Sequence, residues 1–248
     1  MGRAPIAGSR TISSAALALA AWLALAGPGR AGPPYVTDDA EPTDLGHWEI
    51  YHFVGGSHIH GETDGEAGFD INYGAARDLQ LTAVIPLAYQ NWDAAGDGRI
   101  ELAAKYRIIH QSDGGWIPDV AVFPRLFAPA SSERFGSTHF SLLLPVWLQK
   151  DAGPWSVFGG GGYVINPGAG QRNFWIGGAG ATRTLGERWS LGAEVYSQGP
   201  DADDARGFVG FNVGASYKLT EHWTLMGAVG PGLQDLRSPA GYAFYAAL

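Results

Sequence analysis

His139 and Ser141 stand two residues apart, a spacing that puts both side chains on one face of an extended strand, where an imidazole can act as general base toward a hydroxyl. Leu142 and Leu143 follow the serine, and no asparagine or acid is placed to orient the ring, so this pair is only the alternative reading, a lipid-acting enzyme. A second set, His47, His52, His58 and His60 with Glu62 and Asp64, has a composition able to hold zinc or copper, although only His58 and His60 are tightly spaced. A third set is larger and carries both signs of charge: Glu66, Asp70, Glu101, Lys105, Arg107, Asp119, Arg125, His139, Glu194 and Lys218. Charges so distributed can pair into a plug or ring an open path and select solutes. The glycine runs at 159–162 and 177–180 lack the Lys-Ser/Thr of a phosphate loop, so no cofactor is expected.

The elements that position these residues follow from a two-residue alternation. Ala67, Phe69, Ile71 and Tyr73 interleave with Glu66, Gly68, Asp70 and Asn72, and Val209, Phe211, Val213, Ala215, Tyr217 and Leu219 do the same with Gly210, Asn212, Gly214, Ser216 and Lys218. Such segments are strands with one greasy and one polar face. Twelve are expected, near 47–55, 66–74, 79–90, 99–111, 116–127, 138–149, 155–165, 173–183, 189–198, 208–219, 223–230 and 240–248. Most have about ten residues, the length of a tilted membrane strand. Short turns near 75–78, 112–115, 150–154, 184–188 and 220–222 alternate with longer loops near 56–65, 91–98, 128–137, 166–172, 199–207 and 231–239. The fold class is therefore all-β: a transmembrane antiparallel up-and-down β-barrel of about 12 strands, with the short turns and both termini on the periplasmic side.

Composition agrees. The 248 residues include 37 glycines, 9 tryptophans and no cysteine, with 16% charged residues and a net charge of −8. Glycine is about twice its usual share of roughly 7%. Without cysteine there is neither a disulfide scaffold nor a thiolate metal site. Residues 1–26 read as a signal peptide: Arg3 and Arg10 precede an apolar run from Ala15 to Ala26, with cleavage near Ala26. Its removal deepens the net charge to −10, which disfavours nucleic acid as a partner. Residues 27–46 form an N-terminal periplasmic extension whose acids, Asp38, Asp39, Glu41 and Asp44, are expected to be solvated. The barrel occupies 47–248.

Trp116, Trp155, Trp189 and Trp223 each follow a short turn, and Trp48 opens the first strand, as an interfacial girdle requires. Pro86, Pro124 and Pro145 fall inside strands, where bulges or shifted boundaries are needed. In the hairpin of 99–111 and 116–127, a three-residue loop with Gly114 at positive φ would make partner numbers sum to 226, setting Arg107 against Asp119 and Glu101 against Arg125, with Lys105 between the pairs.

Several motifs resemble one family. Residues 33–42 (PPYVTDDAEP), Gly46 to Glu49, Asn72-Tyr73-Gly74, Ile85-Pro86-Leu87, GDGRIELAAKYR at 96–107, LPVWLQK at 144–150 and GGGGYVINPGAG at 159–170 are similar to those of proteobacterial outer-membrane barrels described as transporters, themselves similar to the outer-membrane proteins of phenol meta-cleavage pathways. The resemblance implies a channel or transporter for small solutes, hydrophobic or aromatic compounds among them, and carries over no catalytic residue. Expected partners are outer-membrane lipids, the solute and the barrel-assembly machinery. A structural barrel with a closed lumen is a further alternative. The C-terminal Leu248 departs from the aromatic end usual for such barrels.

Overall fold

The computed structural model describes residues 34–59, 61–233 and 241–248. Fourteen strand segments lie along the described chain: β1 Trp48–Ile59, β2 Glu62–Ala76, β3 Leu79–Gln90, β4 Ala94–Asp97, β5 Glu101–Ile109, β6 Asp119–Val122, β7 Arg125–Phe127, β8 Ser141–Ala152, β9 Trp155–Ile165, β10 Phe174–Leu185, β11 Trp189–Gln198, β12 Phe208–Lys218, β13 Thr224–Leu233 and β14 Gly241–Ala247. They make twelve staves. β6 and β7 are the two halves of one stave between β5 and β8, and β4 is a short return of β3 in an outer connection. Every ladder is antiparallel, and β1 pairs with β14 as well as with β2, which closes the sheet. The last residue takes part in that closure, because Leu248 and His52 exchange both backbone hydrogen bonds.

Among the described residues, each of the twelve staves is paired on both sides, the condition under which a sheet can stand in lipid. Facing follows the alternation. Phe69, Ile85, Leu87, Leu102, Val157, Val195, Phe211 and Val213 are exposed on the outside, whereas Asn72, Gln80, Thr82, Glu101, Lys105, Asp119, Gln149, Ser156, Thr182, Glu194 and Asn212 are buried inside. This is the reverse of a soluble core, and it gives the wall an apolar exterior.

The tryptophans mark the two rims. Trp116 lies in the β5–β6 connection, Trp155 and Trp189 open β9 and β11, and Trp223 immediately precedes β13, all at the short-turn end and all exposed. Trp48 lies at the same end and packs on Tyr73 across the β1–β2 pair at 4.5 Å between ring centroids; Trp189 packs on Tyr217 at 4.6 Å. Trp92, Phe140, Trp175 and Tyr242 are exposed toward the opposite rim.

The structure corrects several boundaries. Residues 56–65, expected as an outer loop, continue the β1–β2 ladder to Ile59↔Glu62. The polar sequence there does not prevent pairing, because the backbone ladder needs no lipid-facing side chain and Gly61, at φ +90°, makes the tight return. Residues 231–233 of the expected 231–239 loop continue β13, and 234–239 lie outside the described residues. Pro124 splits its stave where a donor is missing, while Pro86 and Pro145 stay in strands opposite Gly68 and Gly162. A Cβ at Gly162 would stand 2.5 Å from Pro145 Cα, so the glycine lets the β8 backbone approach closely at the proline.

Candidate functional site: the barrel lumen

The charged wall is built by β2, β3, β5 and β6–β7. Arg125 Nε and Nη2 each donate to Glu101 at 2.7 Å, a bidentate pair. Arg107 Nη1 stands 3.6 Å from Asp119, but its shorter bonds are to Asp78 in the β2–β3 turn, at 3.0 and 3.2 Å. Both expected pairs form on the inner face, yet by a different register. Partner numbers sum to 228, as in Arg107↔Ala121 and Ala103↔Arg125, with a bulge before Ile109. Gly114 does hold positive φ, at +66°. A shift of two residues preserves the side-chain period, so it moves the partners along the strand without sending a charge into lipid.

Asp78 sits at the rim, at φ 64°. Burial pushes its carboxyl up, but the hydrogen bonds from Arg107 and His110, with their charges, outweigh that and hold it below the usual aspartate range.

Beside this wall lies an amide and hydroxyl network. Gln80 Nε2 donates to Asn72 Oδ1 at 2.7 Å and to Thr82 Oγ1 at 2.9 Å, and Thr82 Oγ1 donates to Asn72 Oδ1 at 2.5 Å. Asn72 also donates to Asp70 at 2.8 Å. The remaining oxygen of Gln80 points into the lumen, where Thr43 N–H and Oγ1 bond it at 2.8 and 3.0 Å.

Thr43 belongs to the N-terminal segment, which is not a solvated tail. Residues 35–44 cross the lumen: Thr37, Asp39, Ala40 and Thr43 are each at most 5% exposed. Lys105 Nζ donates to Asp38 Oδ1 at 2.8 Å and to Asp39 Oδ1 at 2.9 Å, and reaches Glu41 O at 3.4 Å. Across the barrel, Glu194 on β11 accepts Val36 N–H at 2.8 Å, Thr37 N–H at 2.7 Å and Asn212 Nδ2 at 2.7 Å. The expectation of solvated acids fails for Asp38 and Asp39, because a buried lysine without a partner of opposite charge would be costly and these aspartates supply it, whereas Asp44 is exposed as expected.

Glycines make the bed for this segment. A Cβ on Gly178 would collide with Thr37 Oγ1, one on Gly192 would meet Tyr35 Oη at 2.5 Å, and one on Gly214 would meet Tyr35 Cε1 at 2.9 Å. The Tyr35 ring packs on Phe158 at 5.6 Å. The run at 159–162 pairs with that at 177–180, and its inward space is taken by Trp147, Phe158 and Thr37.

Other expected site residues are placed differently. Glu66 is half-buried on β2. Lys218 ends β12 at the rim and is exposed. His139 precedes β8 in the outer connection, is exposed, and lines the mouth of the lumen on the long-loop side. Ser141 is buried and its Oγ accepts from Arg99 Nη2 at 2.7 Å, which leaves it aimed at a guanidinium and not at an imidazole base. The histidines do not converge: His52 stacks on Phe69 at 4.9 Å, and His58 bonds Thr63 Oγ1 at 2.8 Å near the other end of β1. His60 lies outside the described residues, and among the described residues no group of three His, Asp or Glu is poised for a metal.

On the long-loop side the lumen opens into a vestibule of about 700 Å³, where Phe127, Leu143, Val164, Phe174 and Ile176 stand beside Arg99, Asn166, Gln171 and Gln198.

No family model and no curated protein matches the sequence. Among solved structures, the chain is similar to an outer-membrane channel from Pseudomonas putida F1, with a TM-score of 0.67 and 16% identity over 88% of this chain and 98% of that one. OmpT, an outer-membrane protein of Vibrio cholerae in its trimer form, aligns with a TM-score of 0.32 and 10% identity over 82% of this chain and 99% of that one. By fold, the chain is a closed antiparallel β-barrel similar to that of the Pseudomonas putida channel.

Proposed function

We propose that the protein is an outer-membrane channel for small solutes, related to the proteobacterial transporter barrels whose motifs it shares, and that it is not an enzyme. The observation that carries this reading is a closed ring of twelve staves whose buried interior is polar and charged while its exterior is apolar. Such an interior suits passage of solutes and would be wasteful in a scaffold.

The solute class is read from the vestibule. Phe127, Leu143, Val164, Phe174 and Ile176 face the same space as three amides, Arg99, His139 and the acids Glu133 and Asp201, a mixed lining suited to small molecules with a hydrophobic or aromatic body and a polar end. Below it, the seated N-terminal segment narrows the path. In the cell, residues 1–26 serve as an export signal, and the barrel-assembly machinery and outer-membrane lipids are the partners of insertion.

Planar-bilayer recordings with the purified full-length protein test the reading. Discrete current steps, reduced when a permeant aromatic solute is added, are expected. A protein that inserts and gives no steps, with or without solutes, would favour the closed structural barrel instead.

A further inference from the structure

We propose that the lumen carries a binding site for acidic peptides, which residues 35–43 of the chain itself occupy in cis. The wall recognises groups that any such peptide presents. Glu194 takes two successive backbone N–H groups, at 2.8 and 2.7 Å, and Gln80 takes a third, from Thr43, at 2.8 Å. Between them Lys105, whose side chain is 5% exposed, takes carboxylates from two adjacent residues. Backbone donors read by a carboxylate and an amide, with paired acids read by one buried cation, form the contact pattern of peptide recognition; general lumen packing would not need it.

Shape adds selectivity. The glycines at 178, 192 and 214 leave hollows filled by Thr37 and Tyr35, and Phe158 supplies a ring for the tyrosine. Gly74 is hollowed in the same way for the backbone of Asp44. The seat thus runs from β11 and β12, past β10, to β5, β3 and β2, and it holds residues 35–43 as an irregular segment that bends at Val36, Thr37 and Ala40.

The cis segment has the advantage of tethering, which amounts to an effective concentration in the millimolar range. An external peptide should therefore compete poorly with the native segment and well with a weakened one. The weakened form is available in the full chain as the double substitution Asp38→Asn and Asp39→Asn, which removes the two charges seen by Lys105 without altering the wall.

The test is fluorescence anisotropy with a labelled peptide of residues 34–46 and the folded, detergent-solubilised full-length D38N/D39N protein. The native peptide should bind saturably, at least tenfold tighter than the same peptide carrying D38N and D39N, and at least tenfold tighter than it binds the unsubstituted protein. Adding Lys105→Gln to the receptor should abolish the difference between the two peptides. Equal binding of both peptides, or no binding of the native one, would overturn the site. Should D38N/D39N not fold, Val36→Pro with Thr37→Pro removes the two donors to Glu194 from the cis segment, and the same comparison applies. Anisotropy reads the site and bilayer current reads the channel, so failure of one is separable from failure of the other.

Discussion

Lys105 Nζ, on β5, donates to Asp38 Oδ1 at 2.8 Å across 67 residues of sequence, tying the barrel wall to the segment that precedes the barrel. The lysine side chain is 5% exposed and the aspartate 19%, so the contact is largely shielded from water and helps to hold the segment inside the lumen.

Lys105→Gln should therefore do more than remove a charge. With Asp38 and Asp39 left buried opposite a neutral amide, the segment loses its anchor, and the penalty of an unpaired buried charge is about 3–5 kcal/mol. The expected outcome is a rise in single-channel conductance together with a shift toward cation selectivity, measured as reversal potential in a salt gradient. Asp119→Asn, whose carboxylate also accepts Gln111 N–H at 3.0 Å, should change selectivity less. Equal reversal-potential shifts from the two variants would contradict this assignment.

The Arg125–Glu101 pair should matter chiefly to stability. Both bonds are 2.7 Å long, and Glu101 is 4% exposed. Glu101→Gln leaves a part-buried guanidinium without its bidentate counter-charge and should cost about 1.5–3 kcal/mol in urea unfolding of the refolded barrel. A loss below about 1 kcal/mol would mean that water compensates Arg125.

The rim acid gives a pH signature. Because the Asp78 carboxyl is held below the unfolded value of about 3.9, its stabilisation is fully present above that value and is lost as pH falls through the lower folded one. The urea midpoint should fall between pH 5 and pH 2, and Asp78→Asn should lower the midpoint at neutral pH while flattening that acid decline. An unchanged acid limb in the variant would assign the decline to other carboxylates.

Side-chain facing is checked by spin labels. Labels at Phe69 and Val213 should meet a lipid-soluble relaxant, while one at Asn212 should not. The opposite ranking at Asn212 and Val213 would contradict the barrel wall.

Much of this architecture is legible in the sequence because a barrel wall is written locally. Alternation at 66–74 and 208–219 sets the facing, and the tryptophans after short turns set the rim. What the alternation leaves open is anything of even step, which is why Arg107 and Asp119 share a face although their ladder is offset by two residues. The seat was harder to read. Asp38 and Asp39 look solvated by composition, and their burial depends on Lys105 and Glu194, distant in sequence and visible as partners only once the sheet closes. The available signals were a lumen lysine lying between two complete ion pairs and inward glycines at 178, 192 and 214 with no strand role of their own. The alternation does not mark where a strand starts, so His139, expected within a strand, lies just before Ser141 at the vestibule.

The most direct measurement is single-channel current across a planar bilayer for the full-length protein and for D38N/D39N, with equal insertion verified. A solute channel narrowed by its own N-terminal segment should give small discrete steps in the first case and clearly larger ones in the second. The absence of steps from both proteins, or steps of the same size, would contradict the account.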